Sequence, residues 1–354
     1  MEQLERAQER LENIRGVKPI LGGLRTISLG SWQAARKRRS GVRAYALRLE
    51  ALLPSLVPHV DAPPAIAVRL RQRLLPSVHL AARATADEAD PSGPRRVQAL
   101  VVGSERGLCG RFNVAIADEV GRYLKIQTAR GVEVELRALG SRVKRALDRR
   151  GLEAGKAGTL SVATLPPFSL AFGLTRHWLE AYEQEDLDAV DVIYNGYRGT
   201  GAYEPRVARL IPPRLPGEDP IARAGADVGH PRNRTSHVVV PSQTHGEQDP
   251  FRRARFATSR PQLERPWPPP IIETDPHSIY ASVVEQLAAV QLYEILLEAA
   301  AAEHSTRFQL METATQNADR LIEELTLITQ TARRQEITQE LAELAAGAGL
   351  IGRK

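Results

Sequence analysis

The sequence is poor in cysteine and in aromatic residues. It holds one cysteine, Cys109, among 354 residues, and Phe, Trp and Tyr together make up 5% of the chain. A single cysteine excludes an intramolecular disulfide and argues against a structural zinc site built on cysteines, which fits a reducing compartment. Few aromatics argue against a β-sandwich and favour a chain built largely of helices.

Long apolar runs are also absent. No stretch approaches the roughly 20 apolar residues that a membrane span needs, and residues 1–16 are charged from the second position, unlike a signal peptide. The formal net charge of +6 favours an anionic partner, such as a nucleic acid, an anionic lipid surface or an acidic protein. We therefore expect a soluble or peripherally attached protein.

Glycine and proline are missing from the seventy residues between His277 and Ala346. Apolar residues recur there at helical spacing. Asp275 and Pro276 supply an N-cap and a first-turn proline, and Gly347 supplies a stop. An unbroken helix of this length would extend for roughly 105 Å. It must project from the rest of the molecule or pair with another element.

The two ends of the chain carry opposite charge. Residues 277–346 contain 11 acidic and 4 basic side chains, whereas residues 1–50 contain 11 basic and 5 acidic ones. This complementarity favours two terminal helices paired in an antiparallel coiled coil. Several poor helix formers interrupt the first segment, which is therefore predicted to be helical in two or three pieces. They are Gly16, Pro19, Gly22, Gly23, Gly30 and Gly41.

Residues 95–211 have a different pattern. Short β-like runs, VQALVVG, VEVELRALG and AVDVIYNGY, alternate with helix-like stretches at 112–129, 141–150 and 171–186. This alternation predicts a small α/β domain with a mainly parallel sheet. Residues 212–270 hold 12 of the 24 prolines and nine arginines but no lysine, a composition that predicts a disordered insertion.

The predicted fold class is α+α/β: an antiparallel coiled coil of the N- and C-terminal helices with a small α/β domain inserted between them. The predicted segments are an amino-terminal helix (1–53), a proline-interrupted helical linker (54–94), the α/β domain (95–211), the insertion (212–270) and the long carboxy-terminal helix (271–354).

The segment GSERGLCG, residues 103–110, has three possible interpretations. It lacks the Lys-Ser/Thr pair of a phosphate loop, and its glycines have the wrong spacing for a dinucleotide-binding loop. As a nucleophile in a small hydrolase, Cys109 would need a histidine, for which His177 is one candidate. A structural turn between a strand and a helix is favoured, in which Gly107 and Gly110 allow positive φ or close packing.

The histidines and the main basic cluster give weaker signals. The eight histidines show no metal-ligand spacing, and no cofactor motif is present. RKRR at 36–39 suits a nucleic-acid patch, so a basic nucleic-acid-binding protein with a long helical arm is the alternative function. A solvated or partner-facing helix face is the favoured interpretation of this cluster, because little aromatic surface and no nucleic-acid-binding motif accompany it.

The end of the chain carries apolar residues that a free helix end does not need. Within TARRQEITQELAELAAGAGLI (331–351) these are Leu341, Leu344, Leu350 and Ile351. We therefore expect an apolar surface of another molecule around this end.

Residues 337–348, ITQELAELAAGA, resemble the carboxy-terminal signature of the γ subunits of F-type ATP synthases nearly position for position. The upstream helix, residues 296–334, is similar to that family as well. VVGSERGLCGRFN, residues 101–113, resembles the family's Asp-Arg-Gly-Leu-Cys-Gly turn. The similarity is strong over about 280–349 and moderate over 95–125.

The resemblance implies the central rotor shaft of a rotary ATPase, a non-catalytic subunit without a cofactor of its own and present in a single copy. Its Rossmann-like α/β domain would form the foot of the shaft. The implied partners are the α and β subunits of an α3β3 hexamer, the ε subunit and the membrane c-ring, with no nucleic acid. The implied location is peripheral, on the cytoplasmic face of a bacterial plasma membrane.

The same resemblance implies roles for particular residues. Those that fall where family members contact β-subunit loops are Arg307, Arg333, Arg334 and Thr338, and Arg334 stands where the family usually has Gln. The apolar end, with Leu341, Leu344, Leu350 and Ile351, would turn in a bearing formed by the α and β subunits. Gly107, Cys109 and Gly110 would form a structural turn.

The sequence also departs from the family pattern. ILGGLRTI at 20–27 lacks the usual amino-terminal motif, Ile27 replaces a methionine, and Gly22-Gly23 would soften a helix expected to be stiff. The 212–270 segment exceeds the family's usual connection. We therefore expect a divergent branch, driven by protons or sodium ions.

Overall fold

The computed structural model of this protein describes residues 2–56, 59, 94–160, 164–212 and 271–347. Along the chain, one long helix precedes a five-stranded sheet and another follows it. In chain order the elements are α1 (Glu2–Leu56), β1 (Arg96–Val102), α2 (Phe112–Ala129), β2 (Glu133–Leu139), α3 (Ser141–Asp148), β3 (Gly155–Gly158), α4 (Phe168–Glu183), β4 (Ala189–Gly199), β5 (Ala202–Ile211) and α5 (Pro276–Gly347). The predicted linker and the predicted insertion lie almost wholly outside the described residues.

The helices α1 and α5 pack against each other in antiparallel directions. The ion pairs that mark their register are Lys18–Asp319, Arg25–Glu312, Arg39–Glu298 and Arg43–Glu294, with N–O distances of 2.5 to 3.1 Å. From one pair to the next, the residue number rises along α1 by as much as it falls along α5. The first two intervals, from Lys18 to Arg25 and from Arg25 to Arg39, are one and two heptads long. In every pair α1 supplies the cation, which confirms the predicted charge complementarity of the two helices.

The helix α1 is continuous from Glu2 to Leu56, so the prediction of two or three helical pieces is wrong. Glycine and proline inside a helix cost about 1 and 3 kcal/mol relative to alanine. Burial of an apolar stripe against the rest of the molecule outweighs this cost. The buried apolar residues lie near the start of the helix and over its second half: Ala7, Leu11, Trp32, Ala35, Ala46, Leu49, Leu53 and Leu56.

The start of α5 follows the sequence-based expectation. The helix begins at Pro276, and the backbone N–H of Ser278 donates a hydrogen bond to Asp275 Oδ2 at 3.0 Å. The Ser278 hydroxyl donates to the same carboxylate oxygen, and these hydrogen bonds lower the pKa of Asp275. The predicted N-cap is therefore confirmed.

The sheet has the strand order β3-β2-β1-β4-β5 and is parallel except for β5, which runs antiparallel to β4. The mainly parallel sheet is confirmed, but β3 and β5 were not predicted. β3 is the four-residue segment GKAG, and β5 contains Pro205, which a strand accepts only where the ladder does not need its N–H. Both lie at the edges of the sheet, where sequence signals are weak.

Helices cover both faces of this sheet. On one face, Leu100, Val192 and Tyr194 pack in a core shared by α1, α4 and α5. On the other face, Ala99 and Val101 pack with α2 and α3. Burial on both faces explains why β1 is almost entirely apolar after Arg96, with Gln98 as the one polar residue. The arrangement fixes the first half of α5 against the α/β domain and leaves its second half to continue away with α1.

Replacing both Gly22 and Gly23 by alanine is expected to raise the free energy of unfolding by about 0.5 to 1 kcal/mol per site. Both glycines lie inside α1, and a Cβ at either position would meet no neighbouring atom within 4 Å. Chemical unfolding of the full chain measures this change. Gly103→Ala serves as a control that should destabilise, because its Cβ would lie 2.3 Å from Val143 Cβ. An unchanged or lower stability of the double variant would contradict the continuous helix.

Candidate functional site

The turn 103–110 connects β1 to α2 along a tight path. Leu108 and Gly110 have φ angles of 63° and 57°, in the left-handed region that non-glycine residues seldom adopt. Asn113 of α2 ties the turn together, because its Oδ1 accepts a hydrogen bond from Ser104 N at 3.0 Å and its Nδ2 donates one to Ser104 Oγ at 2.8 Å. The turn is thus held in one conformation by the helix that follows it.

Cys109 is buried inside this turn. Its Sγ lies 3.4 Å from Ser104 Oγ and accepts a hydrogen bond from Asn113 Nδ2 at 3.6 Å. Burial raises the pKa of the Cys109 thiol, which lowers the fraction of reactive thiolate. His177, the candidate base, is instead exposed on α4. This geometry gives no support to Cys109 as a nucleophile.

The helix α5 reaches the turn through Arg307, which the resemblance assigned to a β-subunit contact. Its guanidinium donates to Gly107 O at 3.3 Å, pairs with Glu303 at 2.5 Å and lies 3.2 Å from His304 Nδ1. Arg307 is 6% exposed. The partner contact of Arg307 stays a prediction, and the structure adds an intrachain role in which Arg307 fastens the turn to α5.

Burial perturbs both acid–base groups beside Arg307. It raises the pKa of Glu303, against the opposing pull of the Arg307 charge. Burial, followed by the nearby Arg307 charge, lowers the pKa of His304 to about 4. His304 is therefore neutral at pH 7 and can accept a hydrogen bond from Arg307 at Nδ1. Within the described parts of the chain, no cluster of three or more His, Cys, Asp or Glu residues could hold a metal ion.

The last turns of α5, residues 331–346, form a second candidate site that we call the tip. Arg333, Arg334 and Thr338 are all exposed there. The Thr338 hydroxyl donates a hydrogen bond at 2.7 Å to Arg334 O, one turn earlier in the same helix. Continuing the α1–α5 register places Glu2 opposite Gln335, so the tip extends past the described part of α1.

Apolar side chains of the tip face solvent in the single chain. Leu341 is 61% exposed and Leu344 is 70% exposed, and with Ile337 they share one face of the helix. Leu350 and Ile351 lie outside the described residues. An exposed apolar stripe of this size is typical of a protein interface.

The exposed apolar surface continues from the tip toward the middle of α5, which the sequence did not predict. Leu327 is 66% exposed and Ile328 is half exposed, although both lie in the segment whose apolar residues recur at helical spacing. On the neighbouring part of α1, Val17, Ile20 and Ile27 are also exposed. Helical spacing gave no signal for this exposure, because it depends on where the two helices lie against each other.

The basic cluster at 36–39 is largely engaged within the chain. Arg36 lies 5.9 Å from the ring centre of Trp32 and 5.7 Å from that of Tyr197. Arg38 donates to the Tyr293 hydroxyl at 3.4 Å, and Arg39 pairs with carboxylates of α5. Of the four cations only Arg39 is half-buried and ion-paired, and the other three are exposed. The cluster thus joins α1 to α5 through Arg39, and nothing in its geometry specifically supports the nucleic-acid alternative.

The lowered pKa of His304 predicts a loss of stability in acid. The unfolded chain binds a proton at His304 near pH 6.5, whereas the folded chain binds it only near pH 4. Stability is therefore full above pH 6.5 and falls as the pH drops through this window. Between pH 7 and 4.5 the wild type should lose about 1 to 2 kcal/mol more than His304→Gln, allowing for partial exposure.

Urea unfolding at both pH values measures this difference, with His177→Gln as a control because that histidine is exposed on α4. Parallel pH profiles of the wild type and His304→Gln would refute the assignment of a neutral, buried His304.

Comparison with known proteins identifies the family. A family model described as ATP synthase matches residues 3–349. The chain is 27% identical over 354 residues to the ATP synthase gamma chain of Anaeromyxobacter sp. (strain Fw109-5), covering 98% of this chain and 99% of that one. It is 24% identical over 351 residues to the ATP synthase gamma chain of Picosynechococcus sp. (strain ATCC 27264 / PCC 7002 / PR-6), covering 99% and 100%.

Among solved structures, the rotor of the Euglena gracilis mitochondrial ATP synthase in rotational state 1 is 12% identical, with 94% of this chain and 98% of that chain covered and a TM-score of 0.48. The resemblance seen in the sequence is confirmed by the family match, which spans nearly the whole chain. The chain belongs to the ATP synthase family, and its curated relatives are γ chains.

Proposed function

We propose that this chain is the γ subunit of a rotary ATP synthase: the central shaft, which couples ion flow through a membrane ring to conformational change in the catalytic subunits. One observation carries the proposal. The 72-residue helix α5 packs on the α/β domain over its first half and presents exposed apolar and basic side chains over its second half. Membership of the ATP synthase family, with relatives named gamma chains, supports the same role.

The coupling mechanism follows from the asymmetry of the shaft. At the tip, Arg333 and Arg334 lie on the same side of the helix as the stripe with Leu341 and Leu344, whereas the opposite side carries the polar residues Gln339 and Glu343. A rotating shaft therefore presents a different surface to each surrounding subunit in turn. A contact that is stronger in one conformer of a catalytic subunit shifts its equilibrium, and hence its nucleotide affinity, by that difference in free energy. The shaft itself catalyses no reaction.

The partner surfaces follow from exposure. Arg333, Arg334 and Thr338 would contact loops of the β subunits, and Arg307 would join them through the few atoms that it leaves accessible. Leu341 and Leu344 would turn within an apolar bearing of α and β subunits, together with Leu350 and Ile351 of the undescribed end. Three α and three β subunits surround one copy of the shaft in this proposal.

The α/β domain would form the foot and meet the ε subunit and the membrane c-ring. None of the helices in the described ranges is both long and apolar enough to cross a membrane. We therefore assign the chain a peripheral position, held at the cytoplasmic face of a bacterial plasma membrane through its partners.

Removing the tip from Ile337 onward is expected to uncouple the complex. The truncated shaft keeps the α1–α5 pairing but loses the apolar stripe that the bearing would hold. In the complex reconstituted in vesicles, ATP-driven ion pumping per ATP hydrolysed should fall by about tenfold, the effect of losing roughly 1.4 kcal/mol of contact energy. Pumping at the wild-type ratio would count decisively against the shaft.

The two arginines of the tip should differ in their effects. Arg333→Gln removes a charge that the proposed β-subunit contact uses, and ion pumping should fall by about tenfold, since a hydrogen bond to a charged group contributes roughly 1.5 kcal/mol or more. Arg334→Gln installs the residue that the resemblance places there and should leave pumping nearly unchanged. Equal losses in both variants would show that the assignment of the two positions is wrong.

A further inference from the structure

Glu298, about a third of the way along α5, is a point at which the two shaft helices and the α/β domain meet. Its side chain is 6% exposed. Oε2 lies 3.0 Å from the guanidinium of Arg39 on α1, and Oε1 lies 2.8 Å from that of Arg206 on β5. Each carboxylate oxygen thus binds a cation from a different part of the molecule.

The strand β4 of the α/β domain leaves space for Arg206 to reach the carboxylate of Glu298. Tyr194 on β4 lies opposite Arg206 in the strand register, and burial raises its pKa to about 12, with a further contribution from the Glu298 charge. Gly196, two pairs further along β4, leaves room for the guanidinium, because a Cβ there would lie 2.6 Å from Arg206 Nε. A side chain at position 196 would displace Arg206 from its path.

A second carboxylate of α5, that of Glu294, adds ion pairs to the contact between Glu298 and α1. Arg39 also lies 3.3 Å from Glu294, which pairs with Arg43 at 3.1 Å. Two successive turns of α5 are therefore held by two cations of α1. Because Glu298 is nearly buried, loss of either of its cations leaves a charge that solvent screens poorly.

This arrangement differs in kind from the apolar contacts around it. Apolar packing between a helix and a sheet is non-directional, so it resists separation more than sliding or tilting. Charge-assisted hydrogen bonds between a guanidinium and a carboxylate are directional and fix relative orientation. Residue 338 lies about 60 Å along the helix from Glu298, so a tilt of about 5° at the junction would move the tip by about 5 Å.

We propose that Glu298 is a positioning residue that fixes the orientation of the foot relative to both shaft helices, so that torque applied at the foot reaches the tip without tilting at this junction. This inference rests on the proposed function as a rotor shaft. Glu298 touches no substrate, and its effect is exerted through Arg39 and Arg206.

The test is the angular fluctuation of the foot in the assembled complex, with the ring of α and β subunits immobilised and the shaft stalled without nucleotide. A probe is attached to a cysteine introduced at Arg149, an exposed position just after α3. Cys109 is 2% exposed and should not compete for the label. Glu298→Gln is expected to increase the angular variance by roughly twofold, because it leaves the shape of the side chain but removes its charge.

Glu312→Gln is the matched control. Glu312 pairs with Arg25 across the same two helices, on a stretch of α5 beyond the segment that binds Arg206. The angular variance of the foot in Glu312→Gln should equal that of the wild type. Unchanged variance in Glu298→Gln, or an equal rise in Glu312→Gln, would overturn the inference.

Substitutions at Arg206 decide the question if Glu298→Gln fails to assemble. Arg206→Gln should raise the variance, and Arg206→Lys, which keeps the charge, should restore most of the wild-type value. Equal variance in these two variants overturns the inference, since a loss of packing alone predicts no rescue by charge. The wild-type complex tests the proposed function separately. If that complex hydrolyses ATP without pumping ions, the proposed function as a coupling shaft is refuted, whatever the Glu298 and Arg206 variants show.

Discussion

The pairing of a cationic helix with an anionic one is the interaction on which the rest of the structure depends. Alone, α1 would be weakened by its glycines and prolines, and the second half of α5 has too few apolar residues on one face to be stable in water. Apolar burial supplies most of the stability of the pair, whereas the cross-helix ion pairs fix its direction and register. A register shift of one residue would misplace every one of these ion pairs.

The features predicted correctly from the sequence are those set by local chemistry or bulk charge. Asp275-Pro276 marks the start of α5 because a cap needs only its immediate neighbours. The apolar run of β1 identifies a strand buried on both faces. The continuity of α1 through Gly22 and Gly23 was missed, because it depends on a helix about 300 residues away. The partners of Glu298 and Arg307 were missed for the same reason.

Exposure was the hardest property to predict. Leu341 was expected to face another molecule because it lies at the end of the chain, but spacing alone gave no way to tell Leu327 from the buried residues of the same helix. The exposure of Leu327 follows from where α1 lies, which is a long-range property. Among the described residues, the exposed large apolar side chains lie mainly on the two long helices.

The antiparallel pairing has a consequence for biosynthesis. The first helix leaves the ribosome at the start of translation, but the surface that stabilises it belongs to the last eighty residues. At about 5 to 20 residues per second, α1 spends roughly 15 to 60 s without its partner. During that interval its apolar stripe is open to wrong associations, so the nascent chain depends on chaperones or on an early-bound neighbouring subunit more than a chain with local contacts does.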